Sequence, residues 1–268
     1  MQRKFKCPIL CAGDIFDRWN APVELVNFAI ENLPTMFAVP GQHDLPMHSY
    51  EEIKRTAYWT LVSAGIIANI DPKKPSCTQD LSIFGAPWGF DIPKIQNGVR
   101  GTKILVSHRY IWASKNNCYP GAEPAANIAS LPPQTKDFDL AIFGDNHIGF
   151  TSSFGKTLCY NCGGFFIRKA DEQDYTPSIG VLYTTGEVER IPLDISKDKV
   201  EWKVELDETD QSKVDTKKLI EELNKIGDSS IDFVSVVERL IRENLLDPKD
   251  SEAKKMVLKA IETKEQTK

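Results

Sequence analysis

No run of apolar residues in this 268-residue chain approaches the ~20 that a membrane-spanning helix requires. No basic, apolar leader segment opens it. Its six cysteines follow no framework spacing, which excludes a small disulfide-stapled domain and suits a reducing, cytoplasmic setting. Basic residues do not exceed acidic ones: 33 Lys and Arg stand against 38 Asp and Glu, for a net charge of −5 and a pI near 5.5. A free basic surface for nucleic acid therefore has no support in composition, and a polyanionic substrate would need a metal ion or a local patch to supply positive charge. Internal repeats and low-complexity tracts are absent. Histidine is scarce too, with four in the chain.

Apolar residues make up 41% of the chain, enough for a sizeable core built as one large domain or a domain plus an appendage. The organising stretch is Pro8 to Arg18. Five apolar or small residues, Ile9 to Gly13, are too few for a helix and read as a buried strand that stops on Gly13-Asp14. Asp14 would then stand at the carboxyl end of a strand, where open α/β sheets place their ligands. Alone, Gly-Asp is equally well only a turn. The same pattern, however, recurs three more times.

Asn20 and Pro22 read as a helix start, and apolar residues from Val23 to Ile30 follow at helical spacing until Pro34. Thr35–Val39 is a second strand and runs into Gly41-Gln42-His43-Asp44. The pattern predicts a helix from Ser49 to Ser63 and short strands at Ile66–Ile70, Leu81–Gly85, Lys103–His108 and Phe138–His147, the last ending in polar residues. Residues 116–133 read as a loop near the site. From residue 150 the pattern changes to antiparallel strands, at Thr157–Cys162, Phe165–Lys169, Ser178–Thr184 and Val188–Leu193. This order predicts a layered α/β sandwich of two mixed sheets flanked by helices.

The stretch from Lys199 to Lys268 differs in kind. It holds 14 of the 33 basic and 17 of the 38 acidic residues, so 31 of its 70 positions are charged, against 40 in the preceding 198. Helical patterns at Thr216–Ile226, Ser230–Leu246 and Ser251–Thr263 make it a helical appendage, either a solvated one or a docking element. The expected division is a core over 1–198 and a charged helical tail over 199–268.

Three of the four histidines fall at strand ends, with Asp14, Gln42-His43-Asp44, His108 and Asp145-x-His147. Imidazole, carboxylate and amide oxygen together suit Mn2+, Fe2+ or Zn2+. Cys159-x-x-Cys162 lacks a second pair and alternates like a strand, so it is read as strand rather than as a zinc half-site. His48 is read as a surface or loop residue. Trp88 and Trp112, just after strands, line either the cleft or the core.

Gly13-Asp14-x-x-Asp17, Gly41-Gln42-His43-Asp44, Ser107-His108 and Gly144-Asp145-Asn146-His147 resemble, in order and spacing, the successive motifs of calcineurin-like metallophosphoesterases. The resemblance covers about residues 8–193. Phe16 after Gly-Asp-Ile, the Gly-x-His-Asp form and the acidic, helical tail resemble the SbcD-type exonuclease branch, phage recombination nucleases included. It implies metal-dependent phosphodiester hydrolysis by a DNA exo- or endonuclease subunit in repair, recombination or replication. The setting would be the cytoplasm, or the host cytoplasm for a phage-encoded chain. The other readings are a small-molecule or nucleotide phosphoesterase of the same fold and a non-catalytic subunit that binds an ATPase.

The resemblance further implies two divalent metals, Mn2+ first, with Fe2+, Mg2+ or Zn2+ as alternatives. Asp14 would bridge both, Gln42, His108 and Asp145 would complete the second site, and His147 would bind the first metal. His43 would act on the substrate phosphate, with Asp44 orienting its ring, while Asp17 and Arg18 would fix the turn behind the ligands. Gln42 stands where the family has Asn, and Asp145 where it usually has His. The family's opening Asp-x-His strand has no counterpart among the thirteen residues before Asp14. That leaves the first metal Asp14 and His147 alone. The expectations are a fragment of a longer product, a strand supplied by another chain, or a one-metal or inactive relative. DNA, an SMC-like ATPase subunit and a second copy of the chain are the partners this implies.

Overall fold

The computed structural model describes residues 2–77, 80–119, 121–167, 175–183 and 185–198. The helices expected in the tail, at Thr216–Ile226, Ser230–Leu246 and Ser251–Thr263, lie outside the described residues.

The first sheet is parallel, in the order β1-β2-β3, with β1 at Leu10–Cys11, β2 at Met36–Ala38 and β3 at Ile67–Asn69. Parallel neighbours need crossovers, and helices supply them. After a single helical turn, α1, at Gln2–Phe5, come α2 at Val23–Asn32, between β1 and β2, and α3 at Ala57–Ser63, between β2 and β3. The start of α2 falls on Pro22 rather than Asn20: Pro22 is extended, and its carbonyl accepts from the Leu25 and Val26 amides at 3.0 Å each. The helix expected over residues 49–63 divides into a 3-10 segment, Tyr50–Arg55, and α3. Thr56 is extended between them and its hydroxyl caps α3 by accepting from the Trp59 amide at 3.1 Å.

The second sheet has six strands in the order β4-β5-β6-β7-β9-β8. Its members are β4 at Ser76–Cys77, β5 at Leu81–Ala86, β6 at Thr102–Ser107, β7 at Leu140–Phe143, β8 at Phe150–Phe154 and β9 at Thr157–Asn161. Strands β5, β6, β7 and β9 are mutually parallel, while β4 and β8 are antiparallel edges, so this sheet is mixed as expected. A separate antiparallel hairpin pairs β10, Ser178–Leu182, with β11, Val188–Pro192. The sequence pattern did not reveal β8, whose Thr151, Ser152 and Ser153 are polar. In turn, the strand expected at Phe165–Lys169 does not form over 165–167, and its last two residues lie outside the described ones. Gly163 turns the chain at φ 79, and the Gly164 amide bonds back to the His147 carbonyl at 2.9 Å, so the segment leaves the sheet towards the site.

Alternation along the strands sorts the core into layers. Met36 and Ala38 of β2 pack with α2 and α3, through Val26, Ala29, Tyr58 and Leu61. Phe37 points the other way and joins Ile83, Ile104, Val106 and Leu140 between the two sheets. Leu105, Ala141 and Phe143 face outward under Ile111, Ile128 and Phe138 of the loops. The layers approach closely at Gly85: a Cβ there would stand 2.8 Å from the Ile70 carbonyl and 3.2 Å from a Val39 methyl. The same alternation sends Cys159 into the outer layer and Cys162 into the inner one, so this pair does not converge.

Candidate metal centre

Because β1 and β2 run parallel, and β6 and β7 likewise, the carboxyl ends of both pairs deliver their motifs to one edge of the sandwich. There the chain turns sharply. Gly13 (φ 99), Asp14 (φ 54) and Asp145 (φ 68) are left-handed, a conformation Asp tolerates better than most residues.

The turns bring three donors together. Asp14, His108 and Asp145 each offer an atom within 4.8 Å of the others. His108 is buried, and its Nε2 lies 3.3 Å from Asp14 Oδ2. Its Nδ1 contacts the Ala12 carbonyl. A carbonyl only accepts, so that contact assigns the proton to Nδ1 and leaves Nε2 of the neutral ring with a lone pair. Nε2 is buried without a hydrogen-bond partner. Gln42 donates from Nε2 to Asp145 Oδ1 at 2.8 Å, and its own Oε1 is buried without a partner.

An imidazole lone pair and an orphaned amide oxygen beside two carboxylates are mutually repulsive unless something positive stands among them. A divalent cation fits this oxygen-rich, one-imidazole set. A proton on His108 is the substitute remedy. Burial would lower the His108 pKa, but the Asp14 carboxylate more than offsets it and the pKa is raised. Burial would raise the Asp14 carboxyl, while His108 and the His43 amide hold it below the usual range. The His43 amide donates to Asp14 Oδ1 at 3.0 Å.

Three glycines make the space. A Cβ on Gly41 would lie 2.1 Å from Asp14 Oδ1 and 2.6 Å from His108 Cε1. One on Gly13 would lie 2.4 Å from His108 Nδ1, and one on Gly144 2.9 Å from the same atom. The motif glycines are thus positions where the imidazole and carboxylate pass too close for any side chain.

The structure places the remaining site residues as follows. Asp44 is fully buried and accepts backbone amides from Gly41 (3.0 Å), Ile15 (3.3 Å) and Phe16 (3.3 Å). It clamps the Asp14 turn to the Gln42 turn. Burial pushes its carboxyl up to about 6, against the pull of those amides. His43 is exposed and lines a cleft of about 730 Å3 with Gln42, His108, Asp145 and His147. His147 lies outside the three-donor cluster, as the turn after Asp145 carries it along the cleft wall, where its carbonyl accepts from Gly164. Asp17 and Arg18 are exposed on the turn after Phe16 and do not line the cleft. Trp88 lines the cleft, whereas Trp112 does not and instead donates from Nε1 to the Glu123 carbonyl at 3.2 Å. His48 is exposed.

One residue escaped sequence reading although it lies inside a motif. Asn146 is buried, and its Nδ2 donates to the Ile111 and Asn117 carbonyls at 2.8 Å each, while its Oδ1 accepts from the Ile148 amide at 3.0 Å. It ties the loop after β6 to the Asp145 turn. An amide between two ligand-type residues was the available signal.

Residues 8–149, just over half of the chain, match the calcineurin-like phosphoesterase family, and the chain belongs to it. Its fold is the metallophosphoesterase fold, and the family's chemistry is metal-dependent phosphoester hydrolysis. No curated protein matches the chain. Two solved structures are similar at low identity. One is 14% identical, with a TM-score of 0.34, and the match spans 53% of this chain and 62% of that one. The other is a phosphopantetheinyl hydrolase from Mycobacterium tuberculosis, 11% identical, with a TM-score of 0.36 over 58% of this chain and 78% of that one. Among the described residues no helix is long and apolar enough to cross a membrane.

Proposed function

We propose that the chain is a metal-dependent phosphodiesterase acting on DNA, as an exo- or endonuclease subunit of the SbcD type. The observation that carries the phosphodiesterase reading is the buried His108 Nε2, which has no hydrogen-bond partner and stands 3.3 Å from Asp14 Oδ2, in a cluster with Asp145 beside an open cleft. Asp14, Gln42, His108 and Asp145 would hold a divalent ion, with Mn2+ the first choice. When bound, such an ion supplies a water of lowered pKa and charge to oppose the phosphate oxygens.

The chain's own groups do the rest. His43, exposed on the cleft wall and fixed through its amide to Asp14, stabilises charge on the phosphoryl oxygens or gives a proton to the leaving oxygen. Asp44 holds the turn that carries it. His147 faces the same cleft and is the further protein group available to a second ion. The charged tail, residues 199–268, would dock an SMC-like ATPase subunit.

A second reading, a small phosphoester or nucleotide as substrate, is favoured by charge. Among the described residues Arg109 is the one Lys or Arg that lines the cleft, and its guanidinium already donates to the Phe90 carbonyl at 3.1 Å. Turnover separates the two. Mn2+-dependent cleavage of linear DNA, abolished by a chelator, supports the first. Turnover of bis-p-nitrophenyl phosphate without DNA cleavage selects the second, and absence of both under metal saturation overturns the hydrolase reading.

A further inference from the structure

Aromatic side chains share the cleft lining with His108 and Asp145. Tyr110 and Tyr119 stand with ring centroids 4.8 Å apart, tilted by 55°. Trp88 and Phe90 line the same space. Tyr119 is 48% exposed, a large apolar ring left open to water in a cleft that also holds Gln42, His43 and Asp145. Exposed aromatic area beside a polar centre serves recognition more readily than packing.

The tyrosine pair is held in register with the donors. Tyr110 follows His108 by two residues on the loop after β6. The Tyr119 amide donates to the Tyr110 hydroxyl at 3.2 Å, which closes residues 110–119 of that loop on themselves. Inside it, Asn117 Oδ1 accepts from the Ala113 and Ser114 amides at 3.0 and 2.9 Å. Asn146, between Asp145 and His147, then grips the carbonyls of Ile111 and Asn117. The same turn that presents Asp145 therefore sets the position of the rings.

We infer that the Tyr110–Tyr119 pair is a stacking platform for an unpaired nucleobase next to the phosphodiester at the metal centre. The inference rests on the phosphodiesterase reading above and names its substrate class. A planar heterocycle can stack on the half-exposed Tyr119 ring, and its attached phosphate would then lie in the cleft that His43, His108 and Asp145 line. A base is neutral, so stacking gives affinity where the cleft has little positive charge to offer. Glu123, an acidic residue on the cleft lining, adds negative charge there, which favours a single strand or a short end over a duplex.

The test compares a short single-stranded oligonucleotide with a fully abasic tetrahydrofuran strand of equal length, both with Mn2+. The expected ratio of kcat/KM, intact over abasic, is about 5- to 150-fold, the range for one stacked base. Tyr119→Leu should bring the ratio towards one, and Tyr119→Trp should keep it. A 2-aminopurine oligonucleotide, bound with Ca2+ in place of Mn2+, should be quenched by the wild type and not by Tyr119→Leu. Equal turnover of both strands with no quenching overturns the platform and leaves the phosphodiesterase reading standing. Quenching with no cleavage of either strand keeps the platform and overturns the hydrolase. Neither binding nor cleavage overturns both.

Discussion

His108 Nε2 stands 3.3 Å from Asp14 Oδ2, at the meeting of a strand end from each sheet. The two residues are 94 positions apart in the chain. The contact is an ion pair if His108 is protonated and a shared cation site if it is not, and the choice between these states governs the first two expectations.

The first concerns metal affinity. Calorimetric titration with Mn2+ should find one strong site. His108→Ala or Asp145→Ala should weaken it by more than the roughly 10- to 100-fold that loss of an outer-shell partner costs. Two equally strong sites would show that His147 joins a second complete ligand set.

The second concerns pH. The raised His108 pKa means that its pairing with Asp14 stabilises the metal-free fold below the ordinary histidine value, and that this is lost as pH rises through the folded-state value. The lowered Asp14 pKa means that its share is present above the ordinary carboxylate value and is lost as pH falls through the folded one. The pairing term is therefore fully present between those two ordinary values. Binding of Mn2+ needs neutral His108 and releases its proton, so affinity should rise with pH across the same titration. Thermal shifts on Mn2+ addition that are equal at acidic and alkaline pH would contradict this.

The third concerns Gly41. Gly41→Ala places a methyl 2.1 Å from Asp14 Oδ1, and the carboxylate must move. Mn2+ binding should be lost while the far-ultraviolet circular dichroism spectrum keeps its shape. Retained affinity would mean that the Gln42 turn yields more easily than its clamp on Asp44 suggests.

The fourth concerns that clamp. Asp44→Ala strips three amides of their acceptor, and the two buried ones, of Phe16 and Gly41, cost about 1–3 kcal/mol each when left unpaired. Chemical denaturation should register the loss even in metal-free protein. An effect confined to activity would reduce Asp44 to an orienter of His43.

The fifth concerns His43. His43→Ala should lower kcat on a phosphodiester by about 10²- to 10⁴-fold, the contribution of a positioned acid, with little change in Mn2+ affinity. Undiminished turnover would remove His43 from the chemistry.

The strand ends were legible because each is a local event: a short apolar run, a glycine and then polar residues. Asp14, Gln42, His108 and Asp145 stand at such ends, and the sandwich follows from strands alternating with helices before hairpins. Interruptions by single residues were not legible. Thr56 breaks the helix expected over 49–63 because its hydroxyl caps α3, and polar β8 was overlooked because pairing with β9, not a buried face, makes it a strand.

By itself, then, the order of residues determined which carboxylate, amide and imidazole groups stand at strand ends, since that depends on neighbours in the chain. Tertiary structure alone decided which of them converge. It set His108 against Asp14, left His147 outside the cluster and aligned Tyr119 with Asp145 through Asn146. Those outcomes depend on how two sheets stack and how closely glycine lets them approach. No periodicity along the chain encodes that spacing.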